Sequence, residues 1–273
     1  MEAIIQMNNV SLIKGNRVIL KELNWEVNEK EHWVILGLNG SGKTSLLNIV
    51  TGYQYPTKGE VTVLGNVFGK TNLPNLRKQI GFVSSALDVF QSTLASESVE
   101  DIIISGKFAS IGLYEKTMDE DRKQAEQLMH MFRMNHLQGK AYDTLSQGEK
   151  RKTLIARALM AQPKLLILDE PSVGLDILTR EELLWSIKEI IASQRCHILY
   201  VTHYIEEIIE EMTHVLVLKE GKIIASGKKE EVLIDQHLSE AFQLDISVRW
   251  ENKRPWVSIH HKAETLHSSY NKS

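Results

Sequence analysis

The spacing of apolar residues changes along the chain, and each spacing predicts a different kind of element. From Ile4 to Val27, short apolar runs flank a polar turn at 14–17, which predicts an antiparallel hairpin. The apolar runs 33–36, 165–168 and 197–201 are each followed by a segment with helical spacing. Strands that alternate with helices form parallel sheets covered on both faces. The pattern therefore predicts a mostly parallel α/β core.

Residues 92–142 carry little strand-like signal and show helical spacing instead. A spacer at 105–117 contains two glycines, so two helices are expected rather than one long helix. We therefore predict a helical insert at about 90–160 within the α/β core. The apolar positions of the two helices are Val99, Ile102 and Ile103 in the first and Ala125, Leu128, Met129 and Phe132 in the second.

The rest of the pattern predicts shorter elements. These are strands at 60–64 and 80–83, a hairpin at 215–225, and helices at 178–193, from Tyr204 and at 230–238.

Beyond Ser239 the signal weakens, and one more hairpin is expected at 246–259. The expected domain limits follow from this change. We predict a main domain at 1–238, a small C-terminal extension at 239–260 and a flexible tail at 261–273.

The segment 37–44 reads Gly-Leu-Asn-Gly-Ser-Gly-Lys-Thr and lies between a predicted strand and a predicted helix. This spacing fits the phosphate-binding loop G-x-x-x-x-G-K-[S/T]. Its glycines let backbone N–H groups converge on phosphate oxygens, while Lys43 supplies a cation and Thr44 a hydroxyl suited to Mg²⁺. An ordinary glycine turn before a helix is the alternative. The residues expected to contact a nucleotide here are Gly37, Asn39, Gly40, Ser41, Gly42, Lys43, Thr44 and Ser45.

Polar residues also follow two of the predicted buried strands. Asp169 and Glu170 end the strand at 165–168, and His203 follows the strand at 197–201. Because ligands of parallel sheets bind at the carboxyl ends of the strands, these side chains are expected beside the phosphate loop. Two adjacent carboxylates at a buried strand end repel each other unless a cation lies nearby, which favours a functional site. The alternatives are a helix-capping Asp169 and a structural His203.

Ser146, Gln147, Gly148 and Glu149 precede an amphipathic helical pattern. A serine with a glutamate three residues later forms a capping box, in which each side chain binds the other residue's backbone N–H. This structural role alone would account for the segment.

Composition narrows the classes of function. The chain has 273 residues and a net charge of −3, so it lacks the basic surplus of proteins that bind nucleic-acid backbones. Its single cysteine, Cys196, can form no internal disulfide. No apolar run approaches the roughly 18 residues of a membrane-spanning helix. We therefore expect a cytoplasmic protein that binds no nucleic acid and does not itself span a membrane.

Taken together, these motifs resemble those of the ATP-binding cassette (ABC) ATPases, from about Ala3 to Leu233. The resemblance implies a P-loop NTPase fold that binds and hydrolyses ATP with Mg²⁺. The family's motifs occur in order as the Walker A loop at 37–44, the signature at 145–149, the Walker B strand at 165–169, the D-loop at 174–176 and the switch histidine at 203.

The resemblance also implies roles for single residues within the chain. Thr44 and Asp169 would hold Mg²⁺, and Glu170 would polarise the attacking water. Lys43 and His203 would contact the γ-phosphate of ATP.

In the ABC family, the signature turn faces the nucleotide held by another subunit. The resemblance therefore implies that Ser146, Gly148 and Asp176 contact ATP across an interface with a second copy of the chain or a homologous ATPase subunit. It also implies a separate membrane-spanning permease, with this chain peripheral at the cytoplasmic face. One alternative is a soluble ABC ATPase that acts on a nucleic acid or protein complex. Another is a non-hydrolysing protein, against which Glu170 and His203 argue.

Two positions depart from the family pattern. Ser85 stands where the family usually has a glutamine after the strand at 80–83, so the coupling of nucleotide state to the partner is in question. No aromatic residue lies near Ile13, where the family usually stacks a ring on adenine. Weak adenine selectivity is therefore expected.

Overall fold

A four-stranded and a six-stranded sheet form the framework of the protein, and a two-stranded hairpin follows them. The structure, a computed structural model, describes residues 3–84, 91–108, 112–113 and 116–260. The strands are β1 (Ala3–Lys14), β2 (Arg17–Asn28), β3 (Trp33–Leu36), β4 (Lys58–Val63), β5 (Asn66–Val67), β6 (Ile80–Ser84), β7 (Leu165–Asp169), β8 (His197–Thr202), β9 (His214–Lys219), β10 (Lys222–Lys228), β11 (Asp245–Glu251) and β12 (Arg254–His260). The α-helices of the described residues are α1 (Lys43–Val50), α2 (Leu73–Arg77), α3 (Gln91–Leu94), α4 (Val99–Ser105), α5 (Asp119–Met131), α6 (Gln147–Met160), α7 (Ile177–Ala192), α8 (Lys229–Val232) and α9 (Asp235–Phe242).

The four-stranded sheet is antiparallel and has the order β2-β1-β4-β5. Its first hairpin closes at Lys14 and Arg17, which pair directly across the two-residue turn. The predicted N-terminal antiparallel subdomain is therefore confirmed.

The six-stranded sheet has the order β10-β9-β3-β8-β7-β6. Strands β6, β7, β8, β3 and β9 pair in parallel, and β10 pairs with β9 as an antiparallel hairpin. This arrangement confirms the predicted mostly parallel α/β core. The parallel pairing brings the carboxyl ends of β3, β7 and β8 to one edge of the sheet, where the phosphate loop also begins.

Alternate residues of the parallel strands pack into two different cores. In β3, Val34 and Leu36 join the core that contains the helical insert and α7, whereas Trp33 and Ile35 join the core beneath the antiparallel sheet and α1. All four side chains are buried because both faces of the sheet are covered. This burial explains why the sequence shows an unbroken apolar run here rather than an alternation.

The helical insert is confirmed by α4, α5 and α6, which pack against one another on the first of these cores. Helix α4 begins after Ser98, whose Oγ accepts a hydrogen bond of 3.1 Å from the backbone N–H of Asp101. Ser85 lies outside the described residues, as does the tail expected at 261–273.

The predicted helix from Tyr204 is wrong. The structure has a single 3₁₀ turn at Ile205–Glu207, and Ile208 then adopts an extended backbone with a ψ of 99°. Ile205, Ile208 and Met212 are buried with the spacing of a helix face although the chain leaves the helical path. An α-helix and the observed 3₁₀ turn with its extended continuation bury the same apolar positions, so the spacing alone does not distinguish the two conformations.

The predicted helix at 230–238 is also corrected. Two helices, α8 and α9, lie on either side of Ile234, which has an extended backbone with φ −120° and ψ 157°. The expected domain limit at 238/239 thus falls inside α9. Because Leu238, Ala241 and Ile246 pack in the same core as α7, the C-terminal segment is continuous with the main body of the protein.

The expected C-terminal hairpin is present as β11 and β12. Its Arg254 forms a two-pronged ion pair with Glu181 of α7, with nitrogen to oxygen distances of 2.7 and 2.8 Å. The Arg254 Nε also donates to the carbonyl oxygen of Glu206 in the 3₁₀ turn after β8. The hairpin therefore contacts the helix and the turn that follow two of the predicted functional motifs.

Candidate active site

The loop at 37–44 requires glycine for two different reasons. A Cβ atom at Gly37 would lie 2.3 Å from the carbonyl oxygen of Leu218, so the loop passes too close to β9 for any side chain. Gly42 has a φ of +110°, a conformation that residues with a Cβ rarely adopt, and it directly precedes α1. The loop thus places the first N–H groups of α1 at the end of β3, as a phosphate site requires.

Lys43 is held at the base of this loop, with only 6% of its surface exposed. Its Nζ lies 2.8 Å from the carbonyl oxygen of Gly37 and 3.2 Å from that of Leu38. The same nitrogen lies 3.3 Å from Oε1 of Glu170. The ammonium group is therefore fixed between the phosphate loop and the end of β7.

Glu170 contacts the other two residues predicted to be catalytic, Lys43 and His203. Its Oε1 lies 3.3 Å from Nζ of Lys43 and 3.3 Å from Nδ1 of His203. Its backbone N–H donates to the carbonyl oxygen of Val201, at 2.9 Å, which ties the ends of β7 and β8 together. Glu170 also has a φ of +50°, an uncommon conformation for a residue other than glycine. Such backbone strain persists when the surrounding structure fixes the residue, and it is frequent at active sites.

Asp169 is the carboxylate with the strongest pKa change at this edge of the sheet. Burial, and after it the negative charge of Glu170, raise its pKa to about 6, while Lys43 acts in the opposite direction. A carboxylate that is costly to ionise in this position is stabilised by an added cation. Asp169 and Thr44 line the same cavity and offer the oxygen donors that Mg²⁺ prefers, so these residues fit the metal that the family implies.

The cavity beside the loop has a volume of about 400 Å³. It brings together most of the predicted nucleotide contacts with the two strand-end carboxylates. It also includes Arg17 and Ile19 of β2, which sequence reasoning missed because they follow an ordinary hairpin turn. The lining residues are Arg17, Ile19, Asn39, Gly40, Gly42, Lys43, Thr44, Ser45, Asp169 and Glu170.

Two loop residues, Gly37 and Ser41, do not line this cavity. Ser41 is buried beside Gly37, and its hydroxyl has no hydrogen-bond partner in the part of the chain that the structure describes. Ile13, at the position where an adenine-stacking ring was sought, is 38% exposed and does not line the cavity either.

Three predicted nucleotide contacts lie apart from this cavity. Ser146 and Gly148 line a separate cavity of about 470 Å³. Ser146 also caps α6, since its Oγ accepts from the N–H of Glu149 and its own N–H donates to the Glu149 carboxylate. Asp176 caps α7 by accepting from the N–H of Thr179 at 2.9 Å. The capping roles are therefore present, but Ser146 and Asp176 are also exposed and able to face another molecule.

The signature turn lies directly against the first turn of α7, which follows the D-loop. A Cβ atom at Gly148 would lie 2.0 Å from Cγ2 of Thr179, the residue that Asp176 caps. Glycine is therefore required for α6 and α7 to approach so closely at their amino-terminal ends. A side chain at Gly148 would clash with Thr179 at the start of α7.

The raised pKa of Asp169 gives a prediction for stability against pH. Its folded pKa of about 6 lies above the ordinary value of 3.8, so the folded protein holds this proton more tightly and loses stability as the pH rises from about 4 to about 6. Asp169→Asn removes this loss. We expect the variant to melt at a higher temperature than the parent at pH 8, without nucleotide or metal, and at a similar temperature at pH 4. The same change at exposed Asp245 is the control, and a lower melting temperature for Asp169→Asn at pH 8 would contradict the prediction.

Every helix that the structure describes is too short or too polar to span a lipid bilayer.

The glycine-rich loop at the end of a parallel strand, with a lysine and two strand-end carboxylates beside it, defines a P-loop nucleotide hydrolase. Residues 20–173 match the family model described as ABC transporter, which covers more than half of the chain. The chain therefore belongs to the ABC transporter family, and it is an ATP-hydrolysing subunit of that family. The resemblance seen in the sequence is confirmed.

Known proteins are similar over nearly the whole chain. The ABC transporter ATP-binding protein YlmA of Bacillus subtilis is 48% identical over 257 residues, which cover 93% of this chain and 97% of that protein. Among solved structures, CbiO1 of Clostridium perfringens, part of the ABC transporter complex CbiONQ, has a TM-score of 0.76 at 28% identity and covers 88% of this chain and 94% of its own. The ATP-binding cassette MJ0796, in a dimeric post-hydrolysis state with ADP and phosphate, has a TM-score of 0.67 at 27% identity and covers 82% of this chain and 98% of its own.

Proposed function

We propose that two copies of this chain, or this chain and a homologous subunit, form each complete ATP site of a membrane transporter. The observation that carries the proposal is the separation of the site residues. Lys43, Asp169 and Glu170 lie at one cavity, whereas exposed Ser146 lies at another. A second molecule that brings its Ser146 to the first cavity completes a site that one chain alone does not. The dimeric MJ0796 cassette, bound to ADP and phosphate, supports this arrangement.

Within such a site, each chain contributes distinct chemistry. The phosphate loop and Lys43 bind the outer phosphates, and Thr44 and Asp169 hold Mg²⁺, which neutralises phosphate charge when bound. Glu170 accepts a hydrogen bond from the attacking water and orients it. His203, 3.3 Å from Glu170, is close enough to contact the same water or the γ-phosphate. The hydroxyl of the second chain's Ser146 then donates to the γ-phosphate at the start of a helix.

The energy of ATP binding and hydrolysis drives a membrane-spanning partner. ATP draws the two chains together and hydrolysis lets them separate, so the chain works as a clamp that moves a permease at the cytoplasmic face of the membrane. Membership of the ABC transporter family favours this function over a soluble ATPase that acts on nucleic acid. The net charge of −3 favours it as well.

A mixing experiment tests the two-chain site. Lys43→Ala disables the phosphate loop of a chain, and Ser146→Asp disables the signature, because its carboxylate keeps the helix cap but repels the γ-phosphate. We expect each variant alone to be nearly inactive. Mixed at equal amounts, they should recover roughly a quarter of the parent rate, because half of the dimers are mixed and each of these holds one intact site.

The control for this experiment is a chain with both substitutions mixed with the parent. Every mixed dimer then lacks an intact site, so the double variant should lower the parent rate. If each chain instead holds a complete site of its own, the two single variants will recover nothing on mixing. A homologous second subunit in place of a second copy would show as a parent chain that hydrolyses ATP only after that subunit is added.

A further inference from the structure

A buried carboxylate lies directly behind the strand ends that carry the candidate catalytic residues. Glu207 has no exposed surface, and three hydroxyl groups donate hydrogen bonds to it. Ser172 Oγ donates to Oε1, while Thr202 Oγ1 and Tyr200 Oη donate to Oε2 at 2.6 and 3.0 Å. Charge-assisted hydrogen bonds of this kind are the stronger ones in proteins, and they fix the donors that make them.

Two of the three donors belong to the segments that hold the catalytic groups. Ser172 lies two residues after Glu170, and Thr202 lies immediately before His203. The third donor, Tyr200, lies within β8 and is fully buried in the core. Glu207 therefore bridges the turn after β7 and the end of β8 through side chains.

Backbone hydrogen bonds fix the segments that carry Glu207 and its hydroxyl donors. Thr202 Oγ1 accepts a 3.0 Å hydrogen bond from the N–H of Tyr204, which fixes the turn that carries His203. The carbonyl oxygen of Ser172 accepts from the N–H of Leu175, which closes the turn between Glu170 and the D-loop. The backbone of Glu207 is fixed by the 3₁₀ turn to which it belongs, because its N–H donates to the carbonyl oxygen of Tyr204.

We propose that Glu207 is a positioning residue for ATP hydrolysis. By holding Ser172 and Thr202 to one carboxylate, it sets the distance between Oε1 of Glu170 and Nδ1 of His203, which is 3.3 Å in the structure. The inference rests on the proposed roles of Glu170 and His203. It gives a role to a carboxylate that is fully buried behind the candidate site.

The three donors allow a test in which one hydroxyl serves as the control for the other two. Thr202→Val and Ser172→Ala each remove a hydrogen bond between Glu207 and a segment that carries a catalytic residue. Tyr200→Phe removes the hydrogen bond between Glu207 and a side chain of the core. We expect the first two variants to lower kcat for ATP roughly 10- to 100-fold, because small misplacements of reacting groups have effects of that size. KM for ATP should change by less than about threefold, since the phosphate loop is untouched. Tyr200→Phe should keep kcat within about twofold of the parent.

Two further measurements separate positioning from simple loss of stability. Melting temperatures of all variants show whether each is folded at the assay temperature, and Thr202→Ser, which restores the hydroxyl, should recover most of kcat. Equal losses of kcat in all three variants, or a parent-like kcat in Thr202→Val, would overturn the proposal. So would a failure of Thr202→Ser to recover kcat. A parent chain without ATPase activity would contradict the proposed function as well, whereas an active parent with an active Thr202→Val contradicts this inference alone.

Discussion

Glu170→Gln is expected to hydrolyse ATP roughly 10²- to 10⁴-fold more slowly than the parent chain while it still binds ATP, since that is the usual contribution of a general base. The amide has the shape of the carboxylate and can keep the hydrogen-bond distances to Lys43 and His203, which are both 3.3 Å. It cannot accept the proton of the attacking water. The measurements are the rate of phosphate release and the ATP affinity from calorimetry.

Binding should be preserved for a second reason. The charge of Glu170 is one of the causes that raise the pKa of Asp169, so its removal makes Asp169 easier to ionise and a better ligand for a cation. Glu26→Gln, the same change at an exposed position of β2, is the matched control and should have no effect on the rate. Under the proposed clamp mechanism, Glu170→Gln with ATP should also elute as a dimer. A variant that turns over at the parent rate would remove Glu170 from the mechanism.

The parts of the fold that the sequence predicts well are those with a strong local signal. The unbroken apolar run at 33–36, the glycines at 37–42 and the helical spacing that follows all point to the same strand, loop and helix. The wrongly predicted helix from Tyr204 shows that apolar spacing alone is not sufficient to predict a helix. There, the buried positions have helical spacing, but Glu207 in the 3₁₀ turn accepts a hydrogen bond from Ser172, which is 35 residues away. Local spacing carries no information about such a contact.

In the candidate site, too, some features follow from the sequence and others only from the structure. The residue types and their places at strand ends predict Lys43, Asp169 and Glu170, because the chemistry of phosphate binding demands them. The left-handed backbone of Glu170 and the raised pKa of Asp169 depend on how β7 and β8 are packed together, so they could be found only from the structure. Arg17 enters the cavity through the pairing of β2 with its neighbours and carries no motif of its own.

Lys43→Ala is expected to weaken ATP binding roughly 10²-fold or more and to abolish measurable hydrolysis. A hydrogen bond to a charged group contributes roughly 1.5–3 kcal/mol, and about 1.4 kcal/mol corresponds to a tenfold change in affinity. The loss should exceed that of one contact, because the ammonium group is also the cation that offsets Glu170 and lowers the pKa of Asp169. Without it, two carboxylates face the phosphates directly.

The measurement for Lys43→Ala is ATP affinity by calorimetry, with circular dichroism to show that the chain is folded. Lys123→Ala, which removes an exposed lysine from α5, removes the same positive charge elsewhere and should leave affinity unchanged. Higher salt should not reproduce the effect of Lys43→Ala, since Lys43 is only 6% exposed and therefore weakly screened. An ATP affinity equal to that of the parent would mean that the nucleotide binds away from the loop at 37–44, and the assignments of Thr44, Asp169 and Glu170 would then have to be abandoned with that of Lys43.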